Sequence, residues 1–351
     1  MLRAIAVAEM IHGHSLDGLL DVALRDTPFF INWIHVRGYT APIFLFAAGL
    51  ALAITTLPRI DGYSQFSNTL RRRLRRLFFI ILLGYLMYLP FFSLRKTILS
   101  IGSPAWHSFL RVDILRCIGV SGLIIQLWLL LKPKQALTWV FVVTVTIALP
   151  VLTPVVRESS LIANLPDFLR YYFVDSRFPL FYYASYPLLG FLIGYIFVKQ
   201  KRVWPKYSVL VALSLVVVAQ LMNKVGVIPT LQGFMTKGGV IILLTVILER
   251  YEHLWQRLPA PVKYFGQESL VVYIVHVIVI YGSVLNKGVN YYWGATLSYG
   301  EVYSFVAWLL AAMGLLAYIW HKSKVEYPRV SRWVKKAIYG SFLILFLLRP
   351  Y

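Results

Sequence analysis

Apolar blocks of about 15–22 residues, parted by short charged stretches, recur along the whole chain; at about 1.5 Å per helical residue each matches the roughly 30 Å of a bilayer's hydrocarbon core. Ten membrane-spanning helices are expected, centred near residues 4–20, 40–57, 77–94, 112–131, 136–155, 178–198, 207–223, 237–250, 267–286 and 302–320. The blocks are continuous and do not alternate in polarity, which argues against a β-barrel. The apolar run 337–348 is shorter. Its approach carries Arg329, Arg332, Trp333, Lys335 and Lys336, so it reads as an amphipathic interfacial helix or a short eleventh span. No repeat, soluble domain or low-complexity linker interrupts the pattern. Residues 1–351 therefore read as one all-α, polytopic integral-membrane domain.

Composition agrees. Hydrophobic residues make up 59% of the chain and charged residues only 14%, too apolar a balance for an aqueous surface. A net charge of +21 would suggest nucleic acid in a soluble protein. Here the cations gather between spans: RRRLRR at 71–76, then Lys132 and Lys134, then Lys199, Lys201, Arg202 and Lys206, then Arg250, Arg257 and Lys263, then Lys322, Lys324 and Arg329. The alternate loops mix signs, as with Asp17, Asp21, Arg25, Asp26 and Arg37, or Arg157, Glu158, Asp167, Arg170, Asp175 and Arg177. The positive-inside rule then places both termini in the cytoplasm and the loops near 21–39, 95–111 and 156–177 outside. The expected setting is a multi-pass place in a bilayer, with lipid and not nucleic acid as the surrounding partner. Cys117 is the single cysteine, so no intrachain disulfide forms. The first segment has no small-residue cleavage site and is not expected to be a signal peptide.

The chemistry concentrates in MLRAIAVAEMIHGHSLDGLLD (1–21), an apolar helix carrying Arg3, Glu9, His12, His14, Asp17 and Asp21. Each ionisable group held inside a bilayer costs about 3 kcal/mol or more, so such groups pair or face a cavity. At about 100° per residue, Arg3, Met10, His14, Asp17 and Asp21 share one stripe, and His14 lies about 16 Å deeper than Arg3. Glu9 and His12 form a separate i,i+3 pair, with His12 about 160° away from His14. A mid-membrane histidine with a carboxylate one turn on suits general-base work.

Three further stretches draw attention. In GQESLVVYIVHVIVIYG (266–282), Gln267, Glu268 and Ser269 can cap the incoming helix, and His276 is either a second pocket residue or a packed core histidine. In RVDILRCIG (111–119), Asp113 and Arg116 are spaced for a structural ion pair. Ala47, Ala48, Gly49, Ala51 and Ala53 read as a close helix-packing stripe. Trp33, Tyr39, Trp106, Tyr171, Tyr172 and Phe173 in the outward loops form either an interfacial belt or a sugar-stacking surface. No P-loop, GxSxG elbow, HExxH or CxxC pair is present, and no metal is expected.

Five blocks, in order, resemble the membrane acyltransferase superfamily, closest to bacterial relatives of heparan-α-glucosaminide N-acetyltransferase and to acyltransferase family 3. They are LRAIAVAEMIHGH (2–14), TAPIFLFAAGLALAI (40–54), DILRCIGVSGLI (113–124), FPLFYYASYPLLGFLIG (178–194) and FGQESLVVYIVH (265–276). The resemblance implies transfer of an acyl group, typically acetyl from acetyl-CoA, to a hydroxyl or amine of a sugar or envelope glycan. It matches Arg3 and His14 to the motif's arginine and histidine, and His276 to the later histidine. The family's acidic residue ahead of the arginine has no counterpart here, and Glu9 stands where the family is commonly apolar. The reading assigns His14, Asp17 and His276 to catalysis and Arg3, Arg71, Arg72 and Arg73 to the CoA phosphates. Direct attack and an acyl-histidine intermediate both stay open. The competing reading is a proton-coupled transporter or flippase of an envelope precursor, against which no inverted repeat is found.

Overall fold

The computed structural model describes residues 1–349 apart from 64, 202 and 227; Arg202, counted above among the loop cations, lies outside the described residues. The chain is about 82% helical. The helices that matter are α1 (Leu2–Leu19), α2 (Pro28–Arg37), α3 (Thr40–Thr56), α4 (Asn68–Met87), α5 (Ile114–Leu130), α6 (Gln135–Glu158), α7 (Ser185–Lys199), α8 (Trp204–Val225), α9 (Pro229–Arg250), α10 (Ala260–Gln267), α11 (Ser269–Tyr281), α12 (Tyr299–Glu326) and α13 (Pro328–Leu348).

Among the described residues, six helical stretches are long and apolar enough to cross a membrane: Pro28–Tyr63, Gln135–Glu158, Leu180–Lys199, Trp204–Val225, Pro229–Arg250 and Tyr299–Glu326. The pair α10 and α11, bent by 89°, makes a seventh if it is taken as one span. The expected first, third and fourth spans fall on α1, α4 and α5, which are more charged or, for α5, one residue short. The third differs in register from the expected 77–94. Helix α4 starts at Asn68, so Arg71–Arg76 are helical rather than in a loop. Arginine and leucine are good helix formers, and the Ser67 hydroxyl accepts from the Leu70 N–H at its start. At the C-terminus the expected 12-residue run is the end of the 21-residue α13.

The chain sorts into two compact units. The first comprises residues 1–40, 87–109 and 252–351. Within it α1 packs against α10, α11 and α12. Gly266 of α10 lies so close to Ala4 of α1 that a Cβ there would stand 3.2 Å from the alanine methyl. The far end of α1 is tied by Asp21 N–H to the Leu297 carbonyl and Leu297 N–H to the Leu19 carbonyl, both 2.9 Å. Leu16, Leu19, Leu20, Phe30, Trp33, Val302 and Val306 form its buried apolar cluster.

The second unit comprises residues 41–86 and 110–251. Its core joins Ala53, Leu57, Ile125, Leu129, Val142, Leu188, Phe191 and Tyr195. The small-residue stripe of α3 does pack closely. A Cβ at Gly49 would fall onto the Pro187 carbonyl, and one at Gly190 of α7 onto the Phe46 carbonyl. Helix α8 shows what surrounds it: Leu210, Leu213, Val217 and Leu221 are exposed, while Ser208, Ala212 and Ala219 are buried. Large apolar side chains outward and small ones inward is the pattern of a helix in lipid.

Candidate functional site

The first unit gathers the polar residues of α1 with partners from α2, α11 and α12. The Nδ1 of His14 lies 3.0 Å from the Nε2 of His276, across α1 and α11, with ring centroids 5.2 Å apart and planes within 17°. His276 is fully buried, and its Nδ1 is 2.9 Å from the Val272 carbonyl. A carbonyl only accepts, so Nδ1 of His276 carries the proton and donates to it. The neutral ring then has a lone pair at Nε2, to which Nδ1–H of His14 donates. This chain of donors leaves neutral His14 with its basic lone pair at Nε2. His14 as a whole is partly exposed. Tyr273 stands edge-on to His276, and Tyr281 edge-on to His14, its hydroxyl donating to the His14 carbonyl at 3.2 Å.

Asp17 has a partner that the sequence reading did not name. Both its carboxylate oxygens are engaged by the Arg37 guanidinium of α2, which lies over Gly13 of α1 and 5.4 Å from the Trp33 ring centre. The bidentate fork of arginine matches the two oxygens of a carboxylate, and the imidazole of His14 meets His276 from α11. Sequence reasoning put Arg37 in a loop and had no spacing by which to link it to Asp17. Asp21 lies beyond α1, where its carboxylate accepts from the Ala23 N–H at 2.8 Å.

Glu268 corrects a sequence expectation. It sits at the α10–α11 bend and makes no side-chain cap. Its buried carboxylate instead reaches α12, accepting from Lys324 Nζ at 2.5 and 2.6 Å on its two oxygens and bonded to His321 Nδ1 at 2.9 Å. His321 in turn stacks on Tyr264, with centroids 3.9 Å apart. This contact spans the bend of the helix pair that carries His276. It was not found from sequence, because its partners lie more than fifty positions away.

On the other face of α1, Glu9 and His12 form their i,i+3 pair at 3.2 Å. Arg3 is partly buried at the start of the helix. Of the expected phosphate-binding cations in the second unit, Arg71 and Arg72 are exposed, whereas Arg73 bonds the Thr55 and Thr56 hydroxyls and covers the Tyr63 ring. Also in that unit, Asp113 and Arg116 form a buried ion pair at 3.0 Å. The same carboxylate oxygen caps α5 by accepting from the Arg116 N–H, and the guanidinium lies 4.4 Å from the Tyr85 ring centre. The Tyr85 hydroxyl meets that of Tyr172 at 2.9 Å. Burial first, then this hydrogen bond, pushes the Tyr172 phenol above its ordinary range.

Residues 1–224 match the family model described as heparan-alpha-glucosaminide N-acetyltransferase, catalytic. No curated protein and no solved structure matches the chain.

Proposed function

The chain belongs to the heparan-α-glucosaminide N-acetyltransferase catalytic family, and we propose that it is a membrane-embedded acyltransferase using acetyl-CoA as donor and a sugar or envelope-glycan hydroxyl or amine as acceptor. The observation that carries this reading is the chain from His14 through His276 to the Val272 carbonyl, which sets one tautomer and presents His14 Nε2 as a base. In the proposed step, the acceptor O–H or N–H gives its proton to His14 Nε2 as the acceptor atom bonds the thioester carbonyl carbon. The carbon–sulfur bond then breaks, and the departing CoA thiolate recovers that proton from the imidazolium. A thiolate leaves readily, so one base suffices.

His276 acts as the positioning residue of this proposal, and Asp17 with Arg37 holds α2 against α1. Arg3 and the exposed Arg71 and Arg72 attract the CoA phosphates through their charge, with Arg73 contributing from its tethered place. The proposal treats residues 1–351 as one domain of ten spans with cytoplasmic termini in a bacterial inner membrane. A transport reading draws on the 89° break between α10 and α11, since transporters use broken helices at their sites. Acetyl-CoA separates the two: it raises the melting temperature of an acyltransferase, whereas a transporter moves its cargo into proteoliposomes with no acyl donor present.

The direct test is label transfer from acetyl-CoA by purified protein. His14→Ala is expected to lower transfer to glucosamine or to an envelope extract by about 10²- to 10⁴-fold, and an unchanged rate would sink the assignment. Glycan and lipid mass spectrometry of a deletion strain, searching for a lost acetyl mass, identifies the acceptor.

A further inference from the structure

The Glu9–His12 face of α1 takes no part in the chemistry above, yet it is built like a site. His12 Nδ1 faces both carboxylate oxygens of Glu9, at 3.2 and 3.3 Å. A carboxylate only accepts, so Nδ1 carries a proton, and in the neutral ring Nε2 then holds the lone pair. That Nε2 is buried and has no hydrogen-bond partner among the described residues. The His12 ring stands edge-on to Trp33, with centroids 5.5 Å apart and planes at 71°, and tilted against Tyr303, also at 5.5 Å. The Trp33 side chain is almost wholly buried, and its Nε1–H likewise finds no acceptor. Trp33 also belongs to an apolar cluster with Leu16, Phe30 and Val306.

Two adjacent aromatic side chains thus present an unanswered acceptor and an unanswered donor, a pairing that native interiors rarely leave unfilled. An anion cannot donate to Nε2, and a cation cannot accept from the indole N–H. A hydroxyl does both. We propose that this face of α1 binds a hydroxyl-bearing ligand of the sugar or polyol class, donating to His12 Nε2 and accepting from Trp33 Nε1, with the exposed Tyr303 ring as its stacking surface. The site is separate from the acyl-transfer centre, because His12 and His14 point about 160° apart on the helix. Water offers the same O–H chemistry, and the experiment is arranged to tell the two apart.

Full-length protein in nanodiscs, prepared without any glycosidic detergent, is titrated calorimetrically with octyl β-D-glucoside below its critical micelle concentration. Empty nanodiscs supply the baseline, and permethylated octyl glucoside serves as the probe without hydroxyls. The expected result is a saturable site for the glucoside and none for its permethylated form. Loss of the two hydrogen bonds should weaken it about tenfold or more in His12→Phe and Trp33→Phe. His12→Gln, which keeps an acceptor near the position of Nε2, should recover most of the affinity, and so tells a lost contact from a lost fold. His14→Ala should bind as wild type does, whatever becomes of acyl transfer, so failure of the catalytic proposal stays distinguishable from failure of this one. Equal binding of the permethylated probe, equal binding by His12→Phe, or no saturable binding by wild type would overturn the proposal, the last meaning that water alone serves the two atoms.

Discussion

The two compact units handle their polar groups in opposite ways. In the first, buried or half-buried groups reach partners far along the chain: His14 to His276, Asp17 to Arg37, Glu268 to His321 and Lys324. In the second, they mostly close on themselves. Asp113 pairs with Arg116 within one turn, and the hydroxyls of Thr146, Thr153 and Thr245 donate to carbonyls four residues back in their own helices at 2.6–2.7 Å. A polar group closed within its own helix costs little and positions nothing else. One closed across helices sets the relation of two elements to a fraction of an ångström. In lipid, where apolar contacts do not favour one helix neighbour over another, such cross-helix pairs are the natural carriers of a functional geometry.

The sharpest way to break this comparison is to cut one pair of each kind. His14→Ala should lower acetyl transfer about 10²- to 10⁴-fold, the usual worth of a general base, and leave the melting temperature nearly unchanged. His276→Leu removes the acceptor for Nδ1–H of His14 and frees the imidazole to adopt the wrong tautomer. About a tenfold to hundredfold loss in kcat is expected, with KM for acetyl-CoA unmoved, and His276→Gln should restore part of it. In the second unit the balance reverses. Arg116→Met leaves Asp113 charged and buried, and should cost about 3–5 kcal/mol of stability. Replacing both, Asp113→Asn with Arg116→Met, should cost less, since asparagine keeps the cap of α5. Equal losses from the single and double variants, read from denaturant midpoints, would show that the pair is not what holds α5.

The same contrast explains which features were legible. Asp113–Arg116, Glu9–His12 and the glycine–alanine stripe of α3 announce themselves through local spacing or composition. Helical projection also put His14 and His12 on different faces, and the geometry places them so. It could not supply Arg37 or His321, because nothing periodic links residues on separate helices. The i+3 spacing of Asp17 from His14 gave no sign of the Arg37 fork from α2 that holds its carboxylate. The arginines at 71–76 were read as a loop because cations mark membrane edges, although their intrinsic preference is helical.

Glu268 lies between the two extremes, a structural ion cluster beside the proposed chemistry. Glu268→Gln keeps one acceptor and loses the charge that Lys324 and His321 face. About 1.5–3 kcal/mol of stability should go with it, the range for hydrogen bonds to charged groups. If the cluster also holds the α10–α11 bend in place, kcat should fall while the acetyl-CoA midpoint in a thermal-shift titration stays put. A fall in stability with full kcat would confine Glu268 to the fold.

The smallest effect tests a place where the second unit uses the long-range style. Helix α6 contains Pro154, which has no N–H to give the carbonyl of Pro150, its i−4 partner. The Thr230 hydroxyl at the start of α9 donates to that carbonyl at 2.7 Å, so a bond lost within one helix is made good by another. Thr230→Val should therefore cost about 0.5–1 kcal/mol, in line with other hydrogen bonds between membrane helices, and Thr230→Ser almost nothing. The decisive measurement is the double-mutant cycle. Pro154→Ala restores the intrahelical N–H, and in that background the carbonyl is already satisfied, so Thr230→Val should lose most of its cost. If the penalty were the same in both backgrounds, the hydroxyl would not be serving the proline's orphaned carbonyl.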